Sequence, residues 1–264
     1  MEWIESVGEE MKTAFLFTGQ MRGFKNAYPS IKTNVESCFE NVSYFFFGPP
    51  ESDGTTFESI VPDAICQYEN DNPSLADGWN STGIGGASDK ASRNNGYNIK
   101  TLTEHYVMQI YNLYRGFQMI PNDFDLVVRI RPCCFSLDSL VIDKSELESL
   151  KDDEIFIPNW NAYNGINDRF AIGTYKSMKI YTSLFTSDLI KNATVGAESR
   201  LQLHLKQEGI KLKFIDWSFA SISKDKAVRG IPGGRGSVGS QSHPQWDKFI
   251  REGNWIEGKG VYHD

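Results

Sequence analysis

The sequence predicts an α/β fold in which a mostly parallel sheet is flanked by helices. Two observations carry this prediction. Between residues 13 and 48 the pattern reads strand, helix, strand, and strand and helix patterns continue to alternate after it. A βαβ unit joins parallel strands, so the first observation indicates a parallel sheet. The 264 residues suit one large domain or two small ones, and we expect a single domain with a long looped insertion.

The first three strands and the first helix follow from apolar patterning. The run TAFLFTG (13–19) ends in glycine and predicts a buried strand, as does VSYFFFG (42–48). Between them, apolar residues recur at helical spacing and predict an amphipathic helix. These residues are Tyr28, Ile31, Val35 and Cys38. A third strand is expected at AICQYE (64–69).

The segment 70–97 is rich in Gly, Ser and Asn and has little periodicity. A loop of this length in a compact domain is usually functional or disordered, so we interpret it as the looped insertion. The next residues trace one helix face, at Ile99, Leu102, Tyr106, Ile110, Leu113 and Phe117. Thr101 and Glu104 have the spacing of a capping box for this helix.

The second half of the chain continues the alternation. A strand is expected in DLVVRIRP and another in DEIFIPNW, and a strand followed by a helix in DRFAIGTYKSMKIYTSLF. A helix stopped by glycine and a last strand are expected in ESRLQLHLKQEGIKLKFIDWSFA. We therefore divide the chain into an N-terminal extension (1–11), the α/β domain (12–229) and an irregular C-terminal segment (230–264).

Composition excludes several classes of function. The net charge is −7 and there is no long basic run, which argues against nucleic acid or an anionic membrane as the main partner. No apolar run is long enough for a membrane span, and no secretory signal is evident at the start of the chain. The four cysteines, at 38, 66, 133 and 134, have neither a metal-ligand nor a disulfide-framework spacing. We expect reduced thiols and a cytoplasmic location.

Asp123-Phe124-Asp125 spells Asp-x-Asp, a pattern that holds a divalent metal against a nucleotide diphosphate in many sugar-transferring enzymes. Both aspartates precede the apolar run Leu126–Ile130 and so lie at the amino end of a strand. Ligands of open parallel sheets bind at the carboxyl ends of the strands. We therefore interpret this motif as turn and strand-entry residues.

The first strand ends in Thr18-Gly19-Gln20-Met21-Arg22-Gly23, just before the first helix. Glycine lets the backbone approach a ligand closely, and a helix N-terminus favours anions. Arg22 can pair with phosphate oxygens in a forked geometry. A plain strand-to-helix turn with a surface arginine explains the same residues equally well.

Arg129 and Arg131 alternate with apolar residues, so both point to one face of a strand. Burying two guanidinium groups without partners is very costly. For Arg131, nearer the carboxyl end, we favour a cleft and an anionic ligand. For Arg129 we favour a structural ion pair.

Taken together, three segments resemble a family of GT-A-type glycosyltransferases of viruses and bacteria. FLFTGQMRGF resembles the family's opening S/T-G-Q-x-R, and DLVVRIRP resembles its D-hydrophobic-hydrophobic-R-x-R-P-D strand. IFIPNWNAYNGINDRFAIGTYKSM resembles its P…N-D-x-hydrophobic-A-x-G block. The resemblance spans residues 12–223 and implies a GT-A-like (Rossmann-like) fold. It also implies a nucleotide-diphosphate sugar donor and transfer to the hydroxyl of a glycan or other acceptor.

The resemblance also implies roles for single residues. The donor side would comprise Thr18, Gly19, Gln20, Arg22, Arg129, Arg131 and Cys133. Asp168 would lie on the acceptor side, and Glu198 resembles the position at which many inverting relatives carry the catalytic base. The alternatives are an Asx-type turn for Asp168 and a helix-dipole role for Glu198. Apart from the resemblance, the long loop 70–97 and the Gly-rich segment 230–240 are candidates for a lid that closes over a substrate. Arg235 would then reach a phosphate; the alternative is a disordered segment.

Cys133 departs from the family pattern, which has an acidic residue after Arg-Pro. An aspartate there would ligate Mg²⁺ or Mn²⁺, and a cysteine would not. Three explanations remain open: cationic side chains replace the metal, another carboxylate such as Asp138 supplies the ligand, or the chain only binds. The alternative function is thus a catalytically inactive nucleotide-sugar or glycan-binding protein. A different nucleotide-using α/β enzyme is disfavoured, because the first strand does not lead into G-x-G-x-x-G.

Overall fold

The computed structural model describes residues 10–21, 23–82, 84, 98–159, 165–222 and 228–229. The strands are β1 Thr13–Thr18, β2 Val42–Gly48, β3 Ile65–Tyr68, β4 Leu126–Ile130, β5 Cys134–Ser136, β6 Glu154–Pro158, β7 Phe170–Thr174, β8 Lys211–Ile215, β9 Phe219–Ile222 and β10 Val228–Arg229. The α-helices are α1 Phe24–Asn34, α2 Ile99–Phe117, α3 Lys144–Glu148, α4 Tyr175–Thr182, α5 Asp188–Asn192 and α6 Ala197–Gln207. Short 3-10 helices cover Glu36–Cys38, Pro73–Ala76 and Ser183–Thr186.

Seven of the described strands form the main sheet, in the order β3-β2-β1-β4-β7-β6-β8. The neighbours pair in parallel except at β7, which is antiparallel to both β4 and β6. The predicted α/β fold with a mostly parallel sheet and flanking helices is therefore confirmed. A second, antiparallel sheet of β10, β9 and β5 was not predicted, because strands of two to four residues carry no measurable periodicity.

Alternation along β1 and β4 builds a core on each face of the sheet. Phe15 and Phe17 point to the face covered by α1, and Leu16 points to the face covered by α2. All three are fully buried. Arg129 pairs in register with Leu16 of β1 and Ala171 of β7. Its charged side chain therefore lies on the α2 face of the sheet, between apolar residues.

Helix α2 begins at a different cap from the predicted one. The Asn98 side chain accepts a hydrogen bond from the Lys100 backbone N–H, and Thr101 and Glu104 lie inside the helix. The capping-box prediction is wrong because Asn98 supplies the cap one turn earlier. The start of the predicted insertion is held against the domain, since Trp79 stacks on Phe185 with ring centroids 6.0 Å apart.

Across the described part of the chain, no helix combines the length and the apolar character needed to cross a membrane.

Candidate functional site

A cavity of about 110 Å³ lies where the carboxyl ends of β1 and β4 face helix α2. Its position agrees with the rule that open sheets bind ligands at the carboxyl ends of their strands. The lining residues are Thr18, Gly19, Gln20, Asp71, His105, Met108, Gln109, Asn112, Arg131, Pro132 and Cys133. We call this cavity the strand-end pocket.

The turn after β1 forms one wall of the strand-end pocket. Gly19 has φ +96°, a conformation that favours glycine, and its N–H donates to the Phe47 carbonyl of β2 at 2.9 Å. A Cβ on Gly48 would stand 2.3 Å from the Gly19 carbonyl oxygen. Gln20 Nε2 lies 3.4 Å from Asp71 Oδ2 across the mouth. Two glycines thus let two strand ends come together beneath the pocket.

Arg131 and Asp168 form an ion pair beside the pocket. Arg131 Nη1 lies 3.8 Å from Asp168 Oδ2, and the two side chains are 26% and 18% exposed. Gln109 Nε2 donates a short hydrogen bond to the same carboxylate. Burial alone would raise the pKa of Asp168, but three nearby arginines, Arg131 foremost, outweigh it and hold that pKa below its usual value. Asp168 is therefore a fixed anion that orients Arg131.

Arg129 is fully buried, and none of its three guanidinium nitrogens has a hydrogen-bond partner among the described residues. The predicted structural ion pair is wrong. Arg129 feels the charge of Asp168 only at longer range, and burial lowers its pKa. Arg129 does not line the strand-end pocket. It lies two residues before Arg131, which directly follows β4. Burying a guanidinium without a hydrogen bond is costly, and the carboxylate of Asp168 offsets only part of this cost.

Glu198 lies in the first turn of α6. Burial, and then the negative charge of Asp168, raise the pKa of Glu198 to about 7. Gly165 packs on this turn so closely that a Cβ there would stand 2.1 Å from the Glu198 carbonyl carbon.

The Asx-type bond considered for Asp168 belongs to Asn167, whose Oδ1 accepts from the Arg169 N–H at 2.9 Å. Neither Asp168 nor Glu198 lines the pocket itself; Asp168 contacts the lining residues Arg131 and Gln109.

Helix α2 supplies a wall of the pocket that was not predicted from the sequence. His105, Met108, Gln109 and Asn112 line the strand-end pocket at the i, i+3, i+4 and i+7 spacing of one helix face. Asn112 is 4% exposed. Gln109 and Asn112 lie beside the predicted apolar face of α2, where the sequence pattern does not distinguish them from ordinary polar residues.

The pocket residues do not fit a divalent metal site. Cys133 lines the pocket where the resemblance leads one to expect an acidic residue, and no group of three or more His, Cys, Asp or Glu side chains is arranged around a common point in the described residues. Asp138, the alternative carboxylate, is not part of the lining. Its backbone carbonyl accepts from Ser136 Oγ and Trp217 Nε1 near the small sheet.

The Asp-x-Asp motif lies at the opposite end of the sheet, as expected. Lys12 Nζ donates to Asp123 at 2.8 Å, and the Lys12 N–H donates to Asp125 at 2.8 Å. Both aspartates border an open groove of about 1280 Å³ at the amino ends of the strands. They therefore tie the start of β1 to the start of β4.

Two predicted site residues, Arg22 and Arg235, lie outside the described residues, as do the rest of the insertion (83 and 85–97) and the segment 230–264.

No protein-family model matches the chain, and no curated protein matches it. Among solved structures, the chain is similar to mouse xyloside xylosyltransferase 1 in its apo form, with a TM-score of 0.41 and 8% identity over 78% of this chain and 85% of that one. It is also similar to galactosyltransferase LgtC in complex with donor and acceptor sugar analogs, with a TM-score of 0.43 and 10% identity over 76% of this chain and 72% of that one. Both are glycosyltransferases, but similarity at this level carries no argument about activity.

Proposed function

We propose that this protein is a glycosyltransferase that moves a sugar from a nucleotide-diphosphate donor to a hydroxyl of a glycan or other acceptor. One observation carries the proposal. Arg131, directly after β4, lines the strand-end pocket. Arg129, within β4, lies beneath it and is fully buried without a hydrogen-bond partner among the described residues. Arg129 shares the single carboxylate of Asp168 with Arg131 and Arg169, so an anion in the pocket would balance the positive charge that this carboxylate leaves.

A diphosphate suits this arrangement better than a single carboxylate does. Arg129, Arg131 and Arg169 all act on the one anion Asp168, so positive charge exceeds negative charge around it. Glu198, with a pKa of about 7, is only partly ionised at neutral pH. A doubly charged ligand group therefore gains from several guanidinium groups at once.

In the proposed reaction Arg131 stabilises the negative charge that develops on the leaving diphosphate. Asp168 and the Gln109 amide hold the region rigid, because both Arg131 and Gln109 contact the Asp168 carboxylate. Preorganised charge of this kind is a large term in catalysis and needs no rearrangement during the reaction. Asp168 is thus a positioning residue, since its lowered pKa makes it a poor proton acceptor.

Glu198 is the better candidate for the base that takes the proton of the acceptor hydroxyl. A general base is most effective when its pKa lies near the working pH, and the pKa of Glu198 is about 7. Two neighbouring carboxylates whose surroundings drive their pKa values apart are typical of an assigned acid–base pair. The acceptor would then approach on the α6 side of Asp168.

We further propose that transfer does not depend on a divalent metal. The support is chemical: the pocket offers a thiol, a single aspartate and a histidine, a set that hard cations such as Mg²⁺ bind poorly. The arginines supply the positive charge that a metal would otherwise bring. Cys133 is also compatible with a protein that binds the donor without transferring the sugar, and a transfer assay separates the two.

Binding of UDP-, GDP-, dTDP- and CMP-sugars is measured by calorimetry and thermal shift, with EDTA or with Mn²⁺. We expect one of the three nucleotide-diphosphate families to bind equally well under both conditions, and the CMP-sugars, which carry a single phosphate, not to bind. Arg131→Met should lower affinity at least tenfold, whereas Lys211→Met, which removes an exposed charge of β8, should not. Binding that requires Mn²⁺ would overturn metal independence, and the absence of binding by all four families would overturn the donor site.

Transfer is then followed with the donor that binds. Asp168→Asn and Glu198→Gln should each lower kcat by about 10²-fold or more while leaving donor affinity largely intact. Donor binding by the wild type without transfer or donor hydrolysis would instead identify a binding protein.

A further inference from the structure

The amide of Asn112 lines the strand-end pocket and makes no side-chain hydrogen bond within the described chain. Asn112 is only 4% exposed, and it lies on the face of α2 that lines the pocket. Unlike Gln109 and Gln20, whose amides each donate to a carboxylate, Asn112 has no side-chain hydrogen bond to any described residue. Since the donors and the acceptor of this amide are not used within the described chain, they are available to a ligand in the cavity.

Gln109 lies one turn before Asn112 and lines the same cavity. Its hydrogen bond to Asp168 determines which amide atom remains available. Its Nε2 donates to Asp168, which is ionised and can only accept hydrogen bonds. The amide orientation is therefore fixed by chemistry, and Oε1 is the atom left for a ligand. An acceptor oxygen repels phosphate and pairs with a hydroxyl or N–H donor.

The strand-end pocket thus has two chemically different walls. The β4 wall carries the Arg131 guanidinium, and the α2 wall carries neutral amides at Gln109 and Asn112 together with His105. Thr18, between the walls, is 4% exposed, and its hydroxyl has no hydrogen-bond partner among the described residues. Neutral amides and a hydroxyl offer paired donors and acceptors at close range, which suits a ligand that carries several hydroxyl groups.

We propose that Gln109 and Asn112 form the specificity wall of the site and bind the neutral, polyhydroxylated part of the ligand. The anionic part lies against Arg131, so one ligand spans both walls. That one donor molecule spans both walls rests on the proposed function. That the α2 wall binds hydroxyl groups does not depend on it. The polyhydroxylated part is either the ribose of the nucleotide or the transferred sugar, and the experiment separates these two sources.

The test compares Asn112→Leu and Gln109→Met with the wild type. Gln202→Leu is the matched control, since Gln202 is a mid-helix glutamine exposed on α6. Four probes are titrated: inorganic diphosphate, a nucleoside diphosphate, its hexose conjugate and the free hexose, the last by saturation-transfer NMR. Circular dichroism melts establish that each variant is folded. Asn112→Leu removes no described hydrogen bond, and Gln109→Met reports on the wall independently should the first variant fail to fold.

We expect both variants to lose about tenfold in affinity for the hydroxyl-bearing probe, the loss of about one hydrogen bond, and less than twofold for inorganic diphosphate. A loss seen only with the hexose conjugate and free hexose assigns the wall to the transferred sugar. A loss already present with the nucleoside diphosphate assigns it to the ribose.

Equal losses for inorganic diphosphate would overturn the inference, because the wall would then bind the anion. Unchanged affinity for every hydroxyl-bearing probe would overturn it as well. If the wild type binds no nucleotide, the proposed function fails while the free-hexose signal still decides this inference: a signal that Asn112→Leu removes supports the α2 wall, and no signal refutes it.

Discussion

Arg129 and Arg200 are both fully buried, yet they are satisfied in opposite ways. Arg200 donates to five backbone carbonyls, those of Asn80, Thr82, Ile190, Ala193 and Val195. Arg129 donates to none within the described chain. Arg200 connects the start of the insertion to the end of α5. Arg129 leaves its donors unused beneath the strand-end pocket.

The contrast predicts opposite effects of the same substitution. Arg129→Met should raise the free energy of unfolding by about 1–3 kcal/mol, because it removes an unpaired buried charge. Arg200→Met should lower it by about 3 kcal/mol, because several carbonyls lose their donor. Urea unfolding of both variants measures these changes. Arg129→Met should also weaken inorganic diphosphate binding, so that stability and binding move in opposite directions. A clear loss of stability in Arg129→Met would show that its charge is already balanced in the unliganded protein.

A second prediction concerns the pH dependence of stability. Glu198 has a pKa of about 7 in the folded chain, against roughly 4.3 when unfolded. Between these values the folded chain holds more protons than the unfolded one, so the contribution of Glu198 to stability is complete below about pH 4 and is lost as the pH rises to about 7. We expect the loss to be on the order of 1–3 kcal/mol.

Urea unfolding at intervals from pH 4.5 to 8 checks this, with Glu198→Gln as the comparison. The variant does not titrate, so its stability should stay flatter across that window. Asp168 does not confuse the result, because its pKa is lowered and its own contribution is lost only as the pH falls below about 4. Equal slopes in the two proteins would show that Glu198 titrates normally and would weaken its assignment as the base.

The third prediction concerns the close approach of β2 to the turn after β1. Gly48→Ala would bring a Cβ to 2.3 Å from the Gly19 carbonyl oxygen, so the backbone beneath the pocket must shift. We expect a loss of about 2–3 kcal/mol in the free energy of unfolding and weaker diphosphate binding. Gly54→Ala is the control: it has φ +78° and open space around its Cβ, so it should cost about 1 kcal/mol and leave binding unchanged. Equal effects on binding would mean that Gly19 does not shape the pocket.

The fold was largely predictable because its long strands and α2 have strong periodicity. The range of α2, Ile99–Phe117, begins and ends at the first and last residues of the predicted apolar face. The cap at Asn98 was not predictable in the same way, because Thr101 and Glu104 offered an equally good local pattern. The small sheet was missed since pairing of Cys134–Ser136 with Phe219–Ile222 depends on contacts distant in sequence.

The site was predictable only where it coincides with strand ends. Thr18, Gly19 and Arg131 follow from the topology of a parallel sheet, and they line one cavity. Helix α2 came into the site through packing, so nothing local distinguished Asn112 from an ordinary polar interruption. The sequence also could not show whether the Arg129 guanidinium has a hydrogen-bond partner, because this depends on which side chains of other elements reach it.

The last prediction separates the two ends of the sheet. The double variant Asp123→Asn, Asp125→Asn should transfer sugar within about twofold of the wild type, because both aspartates contact Lys12 at the amino ends of the strands and exposed pairs of this kind contribute little. Asp168→Asn, at the other end, should lose about 10²-fold or more. Steady-state kinetics with the donor that binds measures both variants under EDTA and Mn²⁺. If the double variant instead lost most of its activity together with a Mn²⁺ dependence of the wild type, the Asp-x-Asp motif would be the metal site. The groove at the amino ends would then be the donor site, and Arg129 and Arg131 would lose their proposed role.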